Sequence, residues 1–130
     1  MYWVKSLTAA AAMVFFFCAA GDALNYQFDE TRDLVSFVRE AAQLVAKKGT
    51  DAFPLFRKRD SRWFSGSRYV FVIDMDGTRY VYPSDPDHER RNIRDLKDIN
   101  GKPVGEMFIE TVSGPEGEGW VHYQWTRPHD

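Results

Sequence analysis

Residues 63–83, WFSGSRYVFVIDMDGTRYVYP, read as two β-strands crowded with aromatic side chains and joined by the tight turn Asp74-Met75-Asp76-Gly77. Asp-Gly is favoured in two-residue hairpin turns, where both positions take positive φ. Side chains alternate along a strand with a period of two. Ser67, Tyr69, Phe71 and Ile73 therefore share one face of the first strand, and Thr78, Tyr80 and Tyr82 share one face of the second. Such a pair either walls a solid core or walls a pocket into which phenol hydroxyls point.

Helical punctuation brackets this hairpin. Between Asp29 and Lys48, the residues Leu34, Val38, Ala41, Ala42 and Val45 form an apolar stripe at helical spacing. Asp29 or Thr31 can cap its start, Lys47 and Lys48 suit the negative end of the dipole, and Gly49 supplies a left-handed stop. A shorter helix from Thr50 to about Arg57 carries Phe53 and Phe56, with Pro54 tolerated only in its first turn. Beyond Pro83 the pattern predicts a polar loop to Arg91, a helical turn over 92–96, a helix over 104–112 and a third strand over 119–126. That strand would set Val121, Tyr123 and Trp125 on one face and Trp120, His122 and Gln124 on the other. The order predicts an α+β fold, an antiparallel sheet with helices packed mainly on one side.

The N-terminus reads differently from the rest. Lys5 precedes a stretch from Leu7 to Ala20 that is apolar apart from Thr8, and Gly21 and Ala23 stand at the small positions of a cleavage site. Residues 1–23 are thus expected to be a signal peptide, the apolar run falling short of the roughly twenty residues of a membrane helix. An uncleaved anchor is the alternative. The single cysteine, Cys18, lies within this segment, so residues 24–130 form one domain without disulfides and must stand on their core. A 44% hydrophobic and 15% aromatic composition suffices for one. A net charge of −2, with short basic clusters interleaved with acids, gives no basis for nucleic-acid binding.

Catalytic and metal chemistry find little support. Asp74-Met75-Asp76-Gly77 fails as a calcium loop, because placing Gly77 at position six puts Val72 at position one. The glycines 114, 117 and 119 sit among Glu116 and Glu118 and precede a strand, not a helix. His88, His122 and His129 have no metal-ligand spacing, and no histidine and acid are placed to activate Ser65 or Ser67. No enzyme, metal or cofactor is expected. The aromatic set remains, with Arg62 and Arg68 close by. Phenols and a guanidinium around one space suit a small carboxylate.

The succession Arg62-Trp63-Phe64, Tyr69-Val70-Phe71-Val72, Asp74-Met75-Asp76-Gly77, Tyr82-Pro83, Asn92-Ile93, Asp95-Leu96-Lys97-Asp98, Gly101-Lys102-Pro103 and 119–125 (GWVHYQW) resembles a single Cache domain of the small-Cache branch. The likeness covers about 30–128. It implies a PAS-like extracytoplasmic sensor of short organic acids, periplasmic or secreted, with a long N-terminal helix and a sheet around a pocket. By position it implies ligand contacts from Trp63, Tyr69, Phe71, Tyr80, Tyr82 and Tyr123, with Arg62 or Arg68 on the carboxylate. The family often has His where Tyr82 stands. Its members usually continue past the Trp-x-x-Pro segment into two more strands, so the resemblance leaves the sheet here short of its C-terminal strands. Signalling, as in chemotaxis, would then need a membrane-bound partner or a homodimer formed through the N-terminal helix. The competing expectation is an interaction protein with a solid core and an exposed sheet edge.

Overall fold

The computed structural model describes residues 27–125. The expected signal peptide and the last residue of the expected third strand lie outside them. Among the described residues, no helix is long and apolar enough to cross a membrane.

Helix α1 spans Asp29–Lys48 and buries Val35, Phe37, Ala41 and Val45. Its first turn carries Asp29 and Glu30 and its last Lys47 and Lys48, each suited to the dipole end it occupies. The start differs from expectation: Phe28 is the N-cap and no side chain caps it. Gly49 ends the helix at φ 59°, its N–H bonded to the Val45 carbonyl. A 3-10 turn, Gly49–Ala52, leads into α2, Phe53–Arg57, which buries Phe53 and Phe56.

The expected first strand is broken. Gly66, at φ 58°, turns the chain so that β1 (Phe64–Ser65) folds back on β2 (Arg68–Tyr69), pairing Phe64 with Tyr69 and Ser65 with Arg68. The chain then continues into β3 (Val72–Ile73), which pairs antiparallel with β4 (Arg79–Val81). The turn between them is longer than the two-residue form its Asp-Gly dipeptide suggests, running over residues 74–78. Only Gly77 takes positive φ, at 92°. Asp74 organises the rest, its Oδ1 accepting the N–H groups of Asp76 and Thr78.

The β3–β4 register contains the feature that decides the site. Val72 faces Val81, but Ile73 faces Arg79, so Tyr80 is an extra residue with no partner on β3. Facing residues of an antiparallel pair point to the same side. Val72 and Val81 join Ala41, Val45, Phe53 and Phe56 in a core against α1 and α2, and Tyr80 packs onto that core. Ile73 joins a second core, with Ile93, Val121 and the residues Val104, Phe108 and Val112 of α3 (Val104–Ser113). The helices therefore lie on both faces of the strands, not mainly on one as expected. The second face is covered because α3 is buried along most of its length, including Val104, Phe108, Ile109 and Val112.

Residues 92–96 form a single turn closed by the Leu96 N–H on the Ile93 carbonyl. Residues 119–125 keep the expected alternation as far as Gln124, with Val121 buried, Tyr123 half-buried and Trp120, His122 and Gln124 exposed; Trp125, expected on the Val121 side, is exposed too. They are not a sheet strand. Their partner is the 98–102 loop, where the buried carboxylate of Asp98 accepts the Gln124 N–H and the Ile99 N–H bonds back to the Gln124 carbonyl.

Candidate functional site

Between the strands and α3 lies a cavity of about 60 Å³. A water needs roughly 10–15 Å³ by the same measure, so this space holds about four waters or a molecule of that size. Phe71 and Phe108 meet at 5.6 Å between ring centres, and Ile93, Leu96 and Val104 extend this apolar wall. Tyr69, Tyr82 and Tyr123 bring phenols, Trp125 closes the side formed by the 119–125 segment, and Arg79 supplies a cation.

Arg79 and Asp98 are the buried charged residues among those described, Arg79 at 7% exposure. Its Nε and Nη2 donate to the His88 carbonyl at 3.2 and 2.9 Å, and its guanidinium lies 3.8 Å from the centre of the Tyr82 ring. Its backbone is held as well: the Arg79 N–H donates to the Arg91 carbonyl, and the Arg90 N–H donates to the Arg79 carbonyl. Among the described residues it forms no ion pair with a carboxylate. Burial lowers its pKa, opposed by the charges of Tyr82, Asp85 and Tyr69. An arginine still keeps its proton at neutral pH. The result is a sheltered positive charge on a cavity wall.

Two of the cavity phenols, Tyr69 and Tyr123, are held neutral by burial. Burial pushes the Tyr123 hydroxyl up to about 12, with the nearby Tyr69 and Tyr82 adding to the shift. Tyr69 is raised mainly by burial, and Ser84 beside it acts in the opposite direction. The Tyr69 and Tyr82 rings meet edge-on at 6.0 Å, and Tyr123 meets Phe108 edge-on at 5.5 Å. Among the described residues, no Asp or Glu lines the space. The lining thus combines one cation, phenol hydroxyls and an apolar floor.

Of the residues singled out from the sequence, Tyr69, Phe71, Tyr82 and Tyr123 line this cavity. Trp63 lies on the opposite face, wedged against Phe37 at 5.5 Å and Phe56 at 5.4 Å. Tyr80 is there too, 6.2 Å from Phe53 and beneath Arg90. Arg62 is exposed, paired with Glu40 and lying over the Trp63 ring. Arg68 is exposed over Phe37, because the β1–β2 turn swings it toward α1. The cation that the structure does bring to the cavity, Arg79, was not among the sequence candidates. Strict alternation puts Arg79 opposite Tyr82, whereas the extra residue Tyr80 reverses the count and returns both to one side.

A family model described as Single Cache domain 2 matches residues 23–130. The chain belongs to the single Cache domain family. Comparison with curated proteins and with solved structures gave no match. Single Cache domains are extracytoplasmic sensor domains that bind small ligands and act with signalling partners. In this Cache domain the long N-terminal helix and the short antiparallel strand pairs supply that α+β arrangement. The cavity lies on the side of the strands that α3 covers.

Proposed function

We propose that this Cache domain senses a short organic anion with a single negative charge, held in the cavity between β4 and α3. The observation that carries the reading is Arg79, a buried guanidinium on the cavity wall that forms no ion pair with a carboxylate among the described residues. Burying an uncompensated charge costs several kcal/mol, and an arriving anion relieves that cost. A carboxylate would take the remaining N–H groups of Arg79 and the hydroxyls of Tyr82 and Tyr123, with its carbon tail against Phe71 and Phe108. One cation and no acidic lining favour a monocarboxylate over dicarboxylates, which bring a second charge, and over amino acids, whose ammonium group finds no counter-charge. The family's sensory role supports a non-enzymatic function. It also supports export by residues 1–23 to the periplasm or beyond, and signalling through a membrane-bound partner.

Titration calorimetry of the protein with acetate, propionate, lactate and pyruvate, beside succinate and alanine, tests the reading. Saturable binding of at least one of the first four, and much weaker binding of the last two, is expected. Equal indifference to all six would overturn it.

A further inference from the structure

Beside the bulge that turns Arg79 into the cavity, one ion pair holds backbone groups of Tyr80 and Tyr82. Arg57, the last residue of α2, donates its Nη2 to the carbonyl of the bulged residue Tyr80 at 2.8 Å. The same guanidinium grips Glu89 through Nε at 3.1 and 3.2 Å and through Nη2 at 2.9 Å. Glu89 Oε1 in turn accepts the N–H of Tyr82 at 2.8 Å. The Glu89 side chain is 13% exposed and that of Arg57 34%, so water competes poorly for the carboxylate. Tyr82, whose amide is held here, carries the ring against which the Arg79 guanidinium lies. His88, whose carbonyl holds Arg79, directly precedes Glu89 in the chain.

We infer that the Arg57–Glu89 pair braces the β4 bulge, positions Arg79 and Tyr82 for the anion, and passes occupancy of the cavity to α2. The inference rests on the anion reading of the cavity. Its physical basis is reciprocity: if an ordered bulge favours the anion, the anion must favour the ordered bulge and the pair that braces it. A one-residue shift of register at Tyr80 would turn Arg79 to the opposite face, so the bulge is a two-state element whose balance both the brace and the ligand bias. The brace connects to α2, and α2 shares a core with Ala41 and Val45 of α1. Occupancy thus has a route of direct contacts from the cavity to the long helix.

The test is amide hydrogen exchange on the full chain, unmodified and with Glu89→Gln, each with and without saturating sodium propionate. In the unmodified chain, propionate slows exchange over 79–82 and over 53–57 together. In Glu89→Gln, propionate binds about tenfold more weakly, the cost of one charge-assisted hydrogen bond. At saturation it then protects 79–82 but no longer 53–57, while exchange in α3 is unaltered by the substitution. Arg57→Lys, which keeps the charge but loses the forked contact, falls between. Protection of 53–57 by propionate in Glu89→Gln equal to that in the unmodified chain would refute the brace. If propionate does not bind, the anion reading is what fails, and the brace is judged on the free chain. It then stands if Glu89→Gln speeds exchange about tenfold at 79–82 and at 53–57 alike, and falls if either segment is unaffected.

Discussion

Replacing Arg79 with Met separates its role in binding from its role in the fold. The substitution removes two hydrogen bonds to the His88 carbonyl and a cation lying on the Tyr82 ring. An orphaned buried acceptor costs about 1–3 kcal/mol, and the lost cation–π contact about 2 kcal/mol in a desolvated setting. Against this, an unpaired charge no longer has to be buried, which returns several kcal/mol. The opposing contributions leave the ligand-free protein within about 2 kcal/mol of its original stability. Binding has no such offset. Losing a hydrogen bond to a charged group costs about 1.5–3 kcal/mol, or a roughly 10- to 150-fold rise in Kd.

Thermal unfolding reads both effects at once. At a propionate concentration of about 100 times the original Kd, the unmodified protein gains about 2.7 kcal/mol. A variant bound about 100-fold more weakly gains only about 0.4 kcal/mol at the same concentration. For a domain of this size each kcal/mol moves the melting temperature by about 4–8 °C. The ligand-induced shift therefore falls from above about 10 °C to about 2–3 °C. Arg79→Lys, which keeps the charge without the fork, recovers part of it. A full propionate shift in Arg79→Met would show that the guanidinium is structural and that the anion reading is mistaken.

Three further outcomes are expected. Gly105→Ala places a Cβ 1.8 Å from the Ile93 carbonyl oxygen and 2.6 Å from that of Arg94, both backbone atoms that cannot turn aside. It should lower stability by about 3 kcal/mol or more, read as a fall in the urea midpoint; an unchanged midpoint would contradict the close seating of α3 on the 93–96 turn. Glu89 and Asp98 both have folded pKa values below their unfolded 4.5 and 3.8. Burial alone would raise them, but hydrogen bonds from Arg57 and the Tyr82 N–H, and from the N–H groups of Gln124, Lys102 and Asn100, outweigh it. Their stabilisation is present above those unfolded values and is lost as pH falls through the folded ones, so urea midpoints should drop below about pH 4.5 and drop less steeply in Asp98→Asn. Tyr123 behaves in the opposite sense: its neutral phenol stabilises fully below 10, and that contribution fades as pH rises toward about 12. Tyr123→Phe should remove the last-ionising phenol from a near-ultraviolet absorbance titration.

Local signals in the chain were enough to determine α1, with its charged ends and glycine stop, the turn at Asp74–Gly77, the body of α3 and the α+β class. They also grouped Tyr69 with Phe71, because those residues lie on an unbroken run where period two holds, and they set Tyr123 and Trp125 on one side of the 119–125 segment. Each of these depends on spacing within a few residues.

What needed the tertiary structure was parity. Arg79 is indistinguishable in the chain from Arg62 or Arg68, and alternation assigns it to the wrong side of its strand. The bulge at Tyr80 arises only when β3 and β4 pair, and Arg57 and Glu89, which are 32 residues apart in the chain, hold the Tyr80 carbonyl and the Tyr82 N–H beside it. The same holds for α3, whose placement on the second face of the strands depends on Ile73, Ile93 and Val121 meeting from separate segments. A side chain's direction is a local property only while the ladder is regular; where one residue is added, contacts remote in sequence decide which side of the sheet a charge faces.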